Sequence, residues 1–269
     1  MNQTSWETTV PAFSLRDTLC CGQCFRREEL PDGSFWGIAS GKTITVRQEE
    51  DRLLWQGDPA QKEFWDEYFD LDTDYAAFVR DFQGDPTLQK ACQMAGGIRL
   101  LRQDPWEALC SFIISQNNNI PRIRGIVDRL CQLLGEPVAG GTADGYAFPT
   151  PERLAAQTEE SLAPLRAGFR TGYLLDAAEK VASGQLSLEE VAVMPLEDAR
   201  TALRTIRGVL FKVAECALLY GFHRLDAFPV DTWIKKVLAR YYPQGFPPLQ
   251  PAGVAQQFLF HYIRSLPED

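Results

Sequence analysis

The sequence predicts a mixed α+β protein, in which an N-terminal antiparallel β-sheet domain packs on a larger all-helical domain. Three observations carry this expectation. Up to about residue 57, runs such as "SFWGIAS" and "KTITVRQ" are rich in β-branched and aromatic residues, and the turn sequences "PDGS" and "SGK" separate them. Beyond residue 98 the apolar residues recur at helical spacing, with capping residues at the starts of the runs. Within that half, residues 196–221 read as two helices joined by a very short turn at 207–210, a helical hairpin.

Taken in order, "AQKEFWDEYFDLDTDYAAFVRDF" shifts from strand to helical spacing, and "MAGGIRLLRQDP" marks the passage into a second unit. The expected domains are therefore 1–98, the sheet with flanking helices, and 99–269, the helical domain. "PWEALCSFIISQ" is apolar on nearly all sides, as a buried central helix must be. In "NNNIPRIRGIVDRLCQLLG" an asparagine cap and Pro121 open a helix that shows Ile123, Val127, Leu130 and Leu134 at helical spacing and stops at Gly135. "SLEEV" is a capping box, and "PLEDARTALRTI" is a short amphipathic helix whose end runs into Arg207 and Gly208. In "FPVDTWIKKVLARYY", Asp231 fits an N-cap, followed at helical spacing by Trp233, Val237 and Tyr241.

Composition narrows the function classes. The chain has 269 residues, 45% of them hydrophobic, which is ordinary for a globular protein. No apolar run approaches the roughly 20 residues of a membrane span. The start "MNQTSWETTVPAF" lacks the regions of a signal peptide, so no membrane partner is expected. Seven cysteines, several in apolar helical patterns, read as the reduced thiols of a cytoplasmic protein. Cys21-Gly22-Gln23-Cys24 has no second pair at zinc spacing, and the histidines number two, His223 and His261, so no metal is expected. The net charge of −9 argues at first against nucleic acid, but the charge is unevenly distributed. Residues 1–98 hold 9 basic and 17 acidic side chains and residues 99–269 hold 18 and 19, while residues 200–240 hold 8 and 3. The hairpin region is thus locally basic and able to attract an anion.

That region contains "RGVLFKVAECALLYG", a buried helix between Gly208 and Gly221 with Lys212 among its apolar residues. The ordinary alternative is a lysine that lays its stem on apolar surface and sends its head to water. Position favours a second reading. In the first turn of the helix the dipole disfavours a cation, and a neutral amine is what a nucleophile requires. Asp231, one helix and one loop later, can fold back so that both side chains face one cleft.

The segments "GGIRLLRQDPWEALCSFIISQNNNIPRI", "AGFRTGYLLDAA", "KVAEC" and "FPVDTW", with "CGQCFRR" before and "AQQFLF" after them, resemble the 8-oxoguanine DNA glycosylases of the helix-hairpin-helix superfamily. The resemblance implies a helix-hairpin-helix motif near 196–221, a monomer acting on double-stranded DNA that contains 8-oxoguanine, removal of the flipped base, and strand nicking by β-elimination. It assigns Lys212 as the nucleophile that forms a Schiff base and Asp231 as the carboxylate stabilising charge on the sugar. Phe260 and Cys216 take the two faces of the base, Gln256 its Watson–Crick edge, the Gly22 carbonyl its N7–H, and Pro229 lines the same pocket. Asn117, Arg122 and Arg170 hold the orphaned cytosine, Phe169 is the wedge, and Gly208 and Trp233 belong to the DNA-binding surface. In animal members the wedge is a tyrosine. A phenylalanine stacks but donates no hydrogen bond, so a relaxed preference for cytosine is expected here.

One departure stands out. The family hairpin runs glycine, valine, glycine before the lysine, and this chain has Gly208, Val209, Leu210 and Phe211. A leucine forced into the left-handed region costs roughly 1–2 kcal/mol, so strain and weakened phosphate anchoring are expected. The same substitution argues against the monovalent cation that the family's hairpin carbonyls bind. No other cofactor is implied. The competing readings are an alkylated-base glycosylase of the same superfamily, which uses water and lacks such a lysine, a catalytically silent damaged-DNA-binding protein, and a helical module for protein partners.

Overall fold

The computed structural model describes residues 4–138 and 145–267. Strands β1 (Thr4–Thr9), β2 (Arg27–Glu29), β3 (Phe35–Ala39), β4 (Lys42–Glu49) and β5 (Arg52–Gly57) form one sheet in the order β1-β5-β4-β3-β2. Every neighbouring pair is antiparallel. The "SG" turn between β3 and β4 has Ser40 at φ 48 and Gly41 at φ 71, the two positive angles of the hairpin turn whose twist matches the strands. Alternation then sends Ile44, Val46, Leu53 and Trp55 to the inner face, where they are buried with Trp65 and Phe69.

The helical run expected across residues 60–82 is two helices, Lys62–Tyr68 and Tyr75–Asp81. The aspartate-rich "DLDTD" breaks it: Asp70 takes a left-handed φ of 50, and the Asp74 carboxylate caps the second helix by accepting from the Ala77 N–H. A further helix, Pro86–Ala95, starts at Asp85, whose side chain accepts from the N–H groups of Thr87 and Leu88.

These last helices turn their apolar faces to the helical half. Phe82 meets Phe258 of the C-terminal helix Ala252–Ser265 edge-on at 6.3 Å. Tyr75, Leu88, Ala91 and Ile98 belong to the large helical core, whereas the sheet core runs from Val10 to Leu71 and adds Leu101. From Tyr75 to Ile98 the buried faces thus turn to the helical core, which also takes in Cys21 and Phe25 from the N-terminal part.

Helix Pro105–Ser115 is the expected central helix: every residue from Ala108 to Ile114 is buried, and so is Trp106 before the one interruption at Glu107. Helix Ile120–Leu134 starts at the expected cap Asn119. Helices Pro151–Ala155, Arg170–Ala182, Leu188–Val193, Leu196–Leu203, Phe211–Tyr220 and Thr232–Tyr241 complete the helical half. Arg26 ties the sheet to the central helix through a 3.0 Å buried ion pair with Glu107. No helix among the described residues is long and apolar enough to cross a membrane.

Candidate active site and DNA-facing surface

The hairpin is built around one obligatory glycine. Its first helix ends at Leu203, earlier than the sequence pattern suggests, and residues 204–210 continue as turns, with Ile206 N–H donating to the Leu203 carbonyl (3.2 Å) and Val209 N–H to that of Ile206 (3.0 Å). Gly208 has φ 77, and a Cβ there would stand 2.2 Å from the Tyr173 ring. Both conformation and space therefore demand glycine. Asp176 fixes the turn from beneath: its Oδ2 accepts from Arg207 N–H and from Lys180 Nζ, each at 2.7 Å.

Leu210 is not strained. Its φ of −93 and ψ of 178 are extended backbone, open to any residue, and the expected left-handed penalty is absent. The chain needs one left-handed residue in this turn, and Gly208 supplies it. The Leu210 and Phe211 side chains are instead 69% and 46% exposed at the hairpin tip, and no side chain caps the helix that follows.

That helix, Phe211–Tyr220, places Lys212, Cys216 and Tyr220 on one face at successive turns. Lys212 is half-buried, its Nζ 5.8 Å from the centre of the Phe112 ring. Burial pushes the Cys216 thiol up to about 11 against the pull of the Lys212 charge, while the charge of Asp231 adds to the rise. Cys216 is thus a neutral thiol at physiological pH, within electrostatic reach of both the amine and the carboxylate. Asp231 is the N-cap expected from sequence: Oδ1 accepts from the N–H groups of Trp233 (3.0 Å) and Ile234 (2.8 Å). Glu215, which lies in the "KVAEC" segment but has no role assigned from sequence, anchors this arrangement. Its Oε1 accepts from Arg200 Nε and its Oε2 from the Phe228 N–H, both at 2.7 Å. The loop leading to Pro229 and Asp231 is thereby fastened to the helix that bears Lys212.

The residues assigned to the base also converge. Gly22 has φ 89, and a Cβ there would come within 4.0 Å of Phe260 Cε1. Phe260 lies one turn beyond Gln256, whose Nε2 donates to the carbonyl of buried Pro229 at 3.2 Å. The turn carrying Gly22 is held by the fully buried Gln23. That side chain donates to the carbonyls of Thr18 and Arg99, each at 2.8 Å, and accepts from the Leu101 N–H at 2.9 Å. Gln103 then bridges the Gln23 carbonyl (2.8 Å) to that of Tyr220 (3.2 Å), joining the turn to the helix that bears Lys212. Burial raises Cys21 to about 12 and Cys24 to about 11, and all seven cysteines are free.

The residues assigned to the opposite strand gather at a rim where two turns meet. Asn117 is exposed with φ 47, and Phe169 is 54% exposed after Gly168 at φ 63. Phe169 packs on Tyr173, the residue that also fills the space over Gly208, at 5.5 Å. Arg122 is exposed and donates to the Arg166 carbonyl at 3.3 Å. Arg170 differs. It is 2% exposed, and its guanidinium donates to the carbonyls of Gln116, Asn117 (2.8 Å) and Ala167 (3.0 Å). It stitches the two turns together from below rather than reaching outward. Trp233, half-buried, carries Lys236 Nζ 4.4 Å above its ring.

A lysine on the same helix face as Cys216, the Asp231 carboxylate within electrostatic reach of that thiol, a neighbouring glutamine and glycine turn, and an exposed aromatic at the rim make an arrangement chemically suited to base excision on a helix-hairpin-helix scaffold. Residues 6–109 match the 8-oxoguanine DNA glycosylase N-terminal domain and residues 110–245 match the HhH-GPD superfamily base excision DNA repair proteins, and the chain belongs to this family. Among solved structures it resembles MBOgg1 in complex with a low-affinity DNA ligand, with 38% identity, a TM-score of 0.92, and 98% of this chain and 96% of that one covered. It also resembles the Clostridium acetobutylicum 8-oxoguanine glycosylase/lyase bound to double-stranded DNA with cytosine opposite 8-oxoguanine, with 33% identity, a TM-score of 0.88, and 98% and 99% coverage. The N-glycosylase/DNA lyase of Saccharomyces cerevisiae is 37% identical over 160 residues, which are 54% of this chain and 42% of that protein. The first curated relatives are matched over 42% to 62% of their own length.

Proposed function

We propose that this chain is a bifunctional DNA glycosylase and abasic-site lyase that excises 8-oxoguanine from duplex DNA. The observation that carries the reading is the Lys212–Cys216 face with Asp231 in electrostatic reach of the Cys216 thiol, together with the approach of Gly22 to Phe260 and of Gln256 to the Pro229 carbonyl. The target carbon is inaccessible in stacked DNA, so the nucleotide must leave the duplex. Phe169 fills the space it vacates, and Asn117 and Arg122 contact the orphaned partner.

In the cleft the base lies between Cys216 and Phe260. The Lys212 amine attacks C1′ of the sugar. The C1′–N bond breaks as the new C–N bond forms, and the base departs with the electron pair and takes up a proton. The Asp231 carboxylate offsets the positive charge that develops on the sugar. Ring opening gives the Schiff base, loss of a C2′ proton expels the 3′ phosphate, and the strand is nicked. The chemistry calls on no cofactor, because Lys212 supplies the nucleophile. The reading also puts a monomeric protein with the chromosome in the cytoplasm, which the seven unpaired thiols support.

Lys212 separates this reading from a water-using alkylated-base glycosylase, and reduction separates it from a silent binder. Incubated with 8-oxoguanine duplex and borohydride, the wild type forms a stable covalent adduct, whereas Lys212→Gln forms none and still binds the DNA. An adduct or a nick from Lys212→Gln means that the nucleophile is another group.

A further inference from the structure

We propose that the Tyr220 hydroxyl orients the Gln256 amide and so sets which base edge the pocket accepts. The inference rests on the functional reading in which Gln256 meets the Watson–Crick edge. Tyr220 lies two turns beyond Lys212, buried, with its ring stacked on Phe112 at 5.1 Å. Its hydroxyl is 2.7 Å from Gln257 Oε1 and 3.4 Å from Gln256 Oε1. It has one proton for two acceptors.

Gln257 is fully buried, and its Nε2 has no hydrogen-bond partner. An unmet buried amide donor is costly, by an amount comparable with a lost hydrogen bond or more. A half-turn of the Gln257 amide exchanges the unmet donor for an under-satisfied oxygen, which protein interiors tolerate more readily; Nε2 then points at the Tyr220 oxygen, and the tyrosine proton is free for Gln256 Oε1. The result is a directed chain: Gln257 donates to Tyr220, Tyr220 to Gln256, and Gln256 to the Pro229 carbonyl at 3.2 Å. Both ends of the Gln256 amide are then fixed, the acceptor end by Tyr220 and the donor end by Pro229.

What Gln256 keeps for a ligand is one amide hydrogen and one lone pair in a set order. That order suits a ring oxygen beside a ring N–H, the edge of guanine and its oxidised form. The edge of adenine, an amino group beside a bare ring nitrogen, presents donor and acceptor in the opposite order. A glutamine held at one end only can turn its amide to meet either edge. Tyr220 is thus a positioning residue for specificity, and it leaves no mark on the chemistry at C1′.

Single-turnover excision from duplexes containing 8-oxoguanine or 8-oxoadenine, with affinity measured separately, tests this. In Tyr220→Phe the ratio of the two excision efficiencies should fall by about fivefold or more, the worth of one hydrogen bond, through weaker discrimination in binding with the chemical step little changed. Gln257→Met keeps the hydroxyl and removes the competitor for its proton, so it should hold or raise the ratio. An unchanged ratio in Tyr220→Phe, or an equal fall in Gln257→Met, overturns the proposal. A wild type that excises 8-oxoguanine while either of these results holds leaves the functional reading standing. A wild type that releases no 8-oxoguanine overturns both.

Discussion

The pocket and the rim are each built on two turns, yet they are secured in different ways. On the pocket side, buried side chains hold the turns: Gln23 grips the turn of Gly22, and Glu215 grips the loop of Pro229 and Asp231. On the rim, the residues facing outward are exposed, and their support comes from below, where Arg170 binds three carbonyls and Asp176 and Lys180 bind the hairpin turn. A pocket that discriminates by single hydrogen bonds needs fixed donors and acceptors, because a misplaced buried partner costs as much as the signal it reads. A rim that meets a flexible duplex needs fixed backbone and free side chains.

The largest expected effect lies in the pocket and tests whether charge or shape matters there. Asp231→Asn retains an oxygen for the N–H groups of Trp233 and Ile234, so the helix cap survives, but the carboxylate charge is lost. Excision in a single-turnover assay should fall about a hundredfold or more, with thermal stability changed by less than about 1 kcal/mol. A rate within a few-fold of wild type would mean that Asp231 serves only as a cap.

The two rim arginines sharpen the contrast next. Arg170→Ala strands the carbonyls of Gln116, Asn117 and Ala167 and should cost about 2–3 kcal/mol of folding stability. Arg122→Ala removes an exposed side chain and should cost within about 0.5 kcal/mol, while weakening the preference for cytosine opposite the lesion. Denaturant titration of both variants checks the pair, and equal losses would erase the distinction between support and contact.

A comparable but pH-dependent effect belongs to the junction behind the pocket. Burial would raise the Asp70 carboxyl, but His223, with Nε2 3.3 Å from Oδ2, and the hydroxyls of Tyr75 and Thr73 hold it down at about 2. Arg102 Nε adds a 2.8 Å bond to Oδ1. The unfolded value is about 3.9, so this stabilisation, about 2 kcal/mol, is complete above that pH and is lost as pH falls through about 2. In Asp70→Asn the stability between pH 4 and pH 2 should depend less steeply on acid than in the wild type. An identical pH profile would contradict the assignment.

The smallest effect is at the hairpin tip. Leu210 already has extended backbone, so Leu210→Gly relieves no strain, and its exposed side chain holds no core contact. Affinity for undamaged duplex should change by less than about threefold, and the slope of log affinity against log salt should stay within one phosphate contact, about 0.9. A steeper slope would show that the leucine keeps the DNA at a distance.

The sheet, the central helix and the caps at Asn119 and Asp231 are legible in the sequence because each is local: alternation, an all-round apolar run, or a capping side chain next to its helix. Lys212 with Cys216 is legible from helical spacing, and the family motifs supply Gly22, Gln256 and Phe260. Gln23, Glu215, Asp176 and Tyr220 are not, because their partners lie far along the chain and a buried hydrogen bond to a distant carbonyl leaves no pattern. Tyr220 alone carries a signal, since it follows Lys212 and Cys216 at the same four-residue interval. The strain expected at Leu210 is absent because a glycine in a family motif does not say which of its uses, conformation or close approach, this backbone still requires. The break at Asp70 is hidden by helix-compatible residues on both sides.

The central claim, that one amine on the hairpin helix does the chemistry, is tested most directly by locating the covalent bond. After borohydride trapping on 8-oxoguanine duplex and digestion of protein and DNA, mass spectrometry should find the reduced sugar remnant on the peptide containing Lys212 and on no other. A remnant on Lys235, Lys236 or the chain terminus, or a released base with no remnant at all, would contradict it.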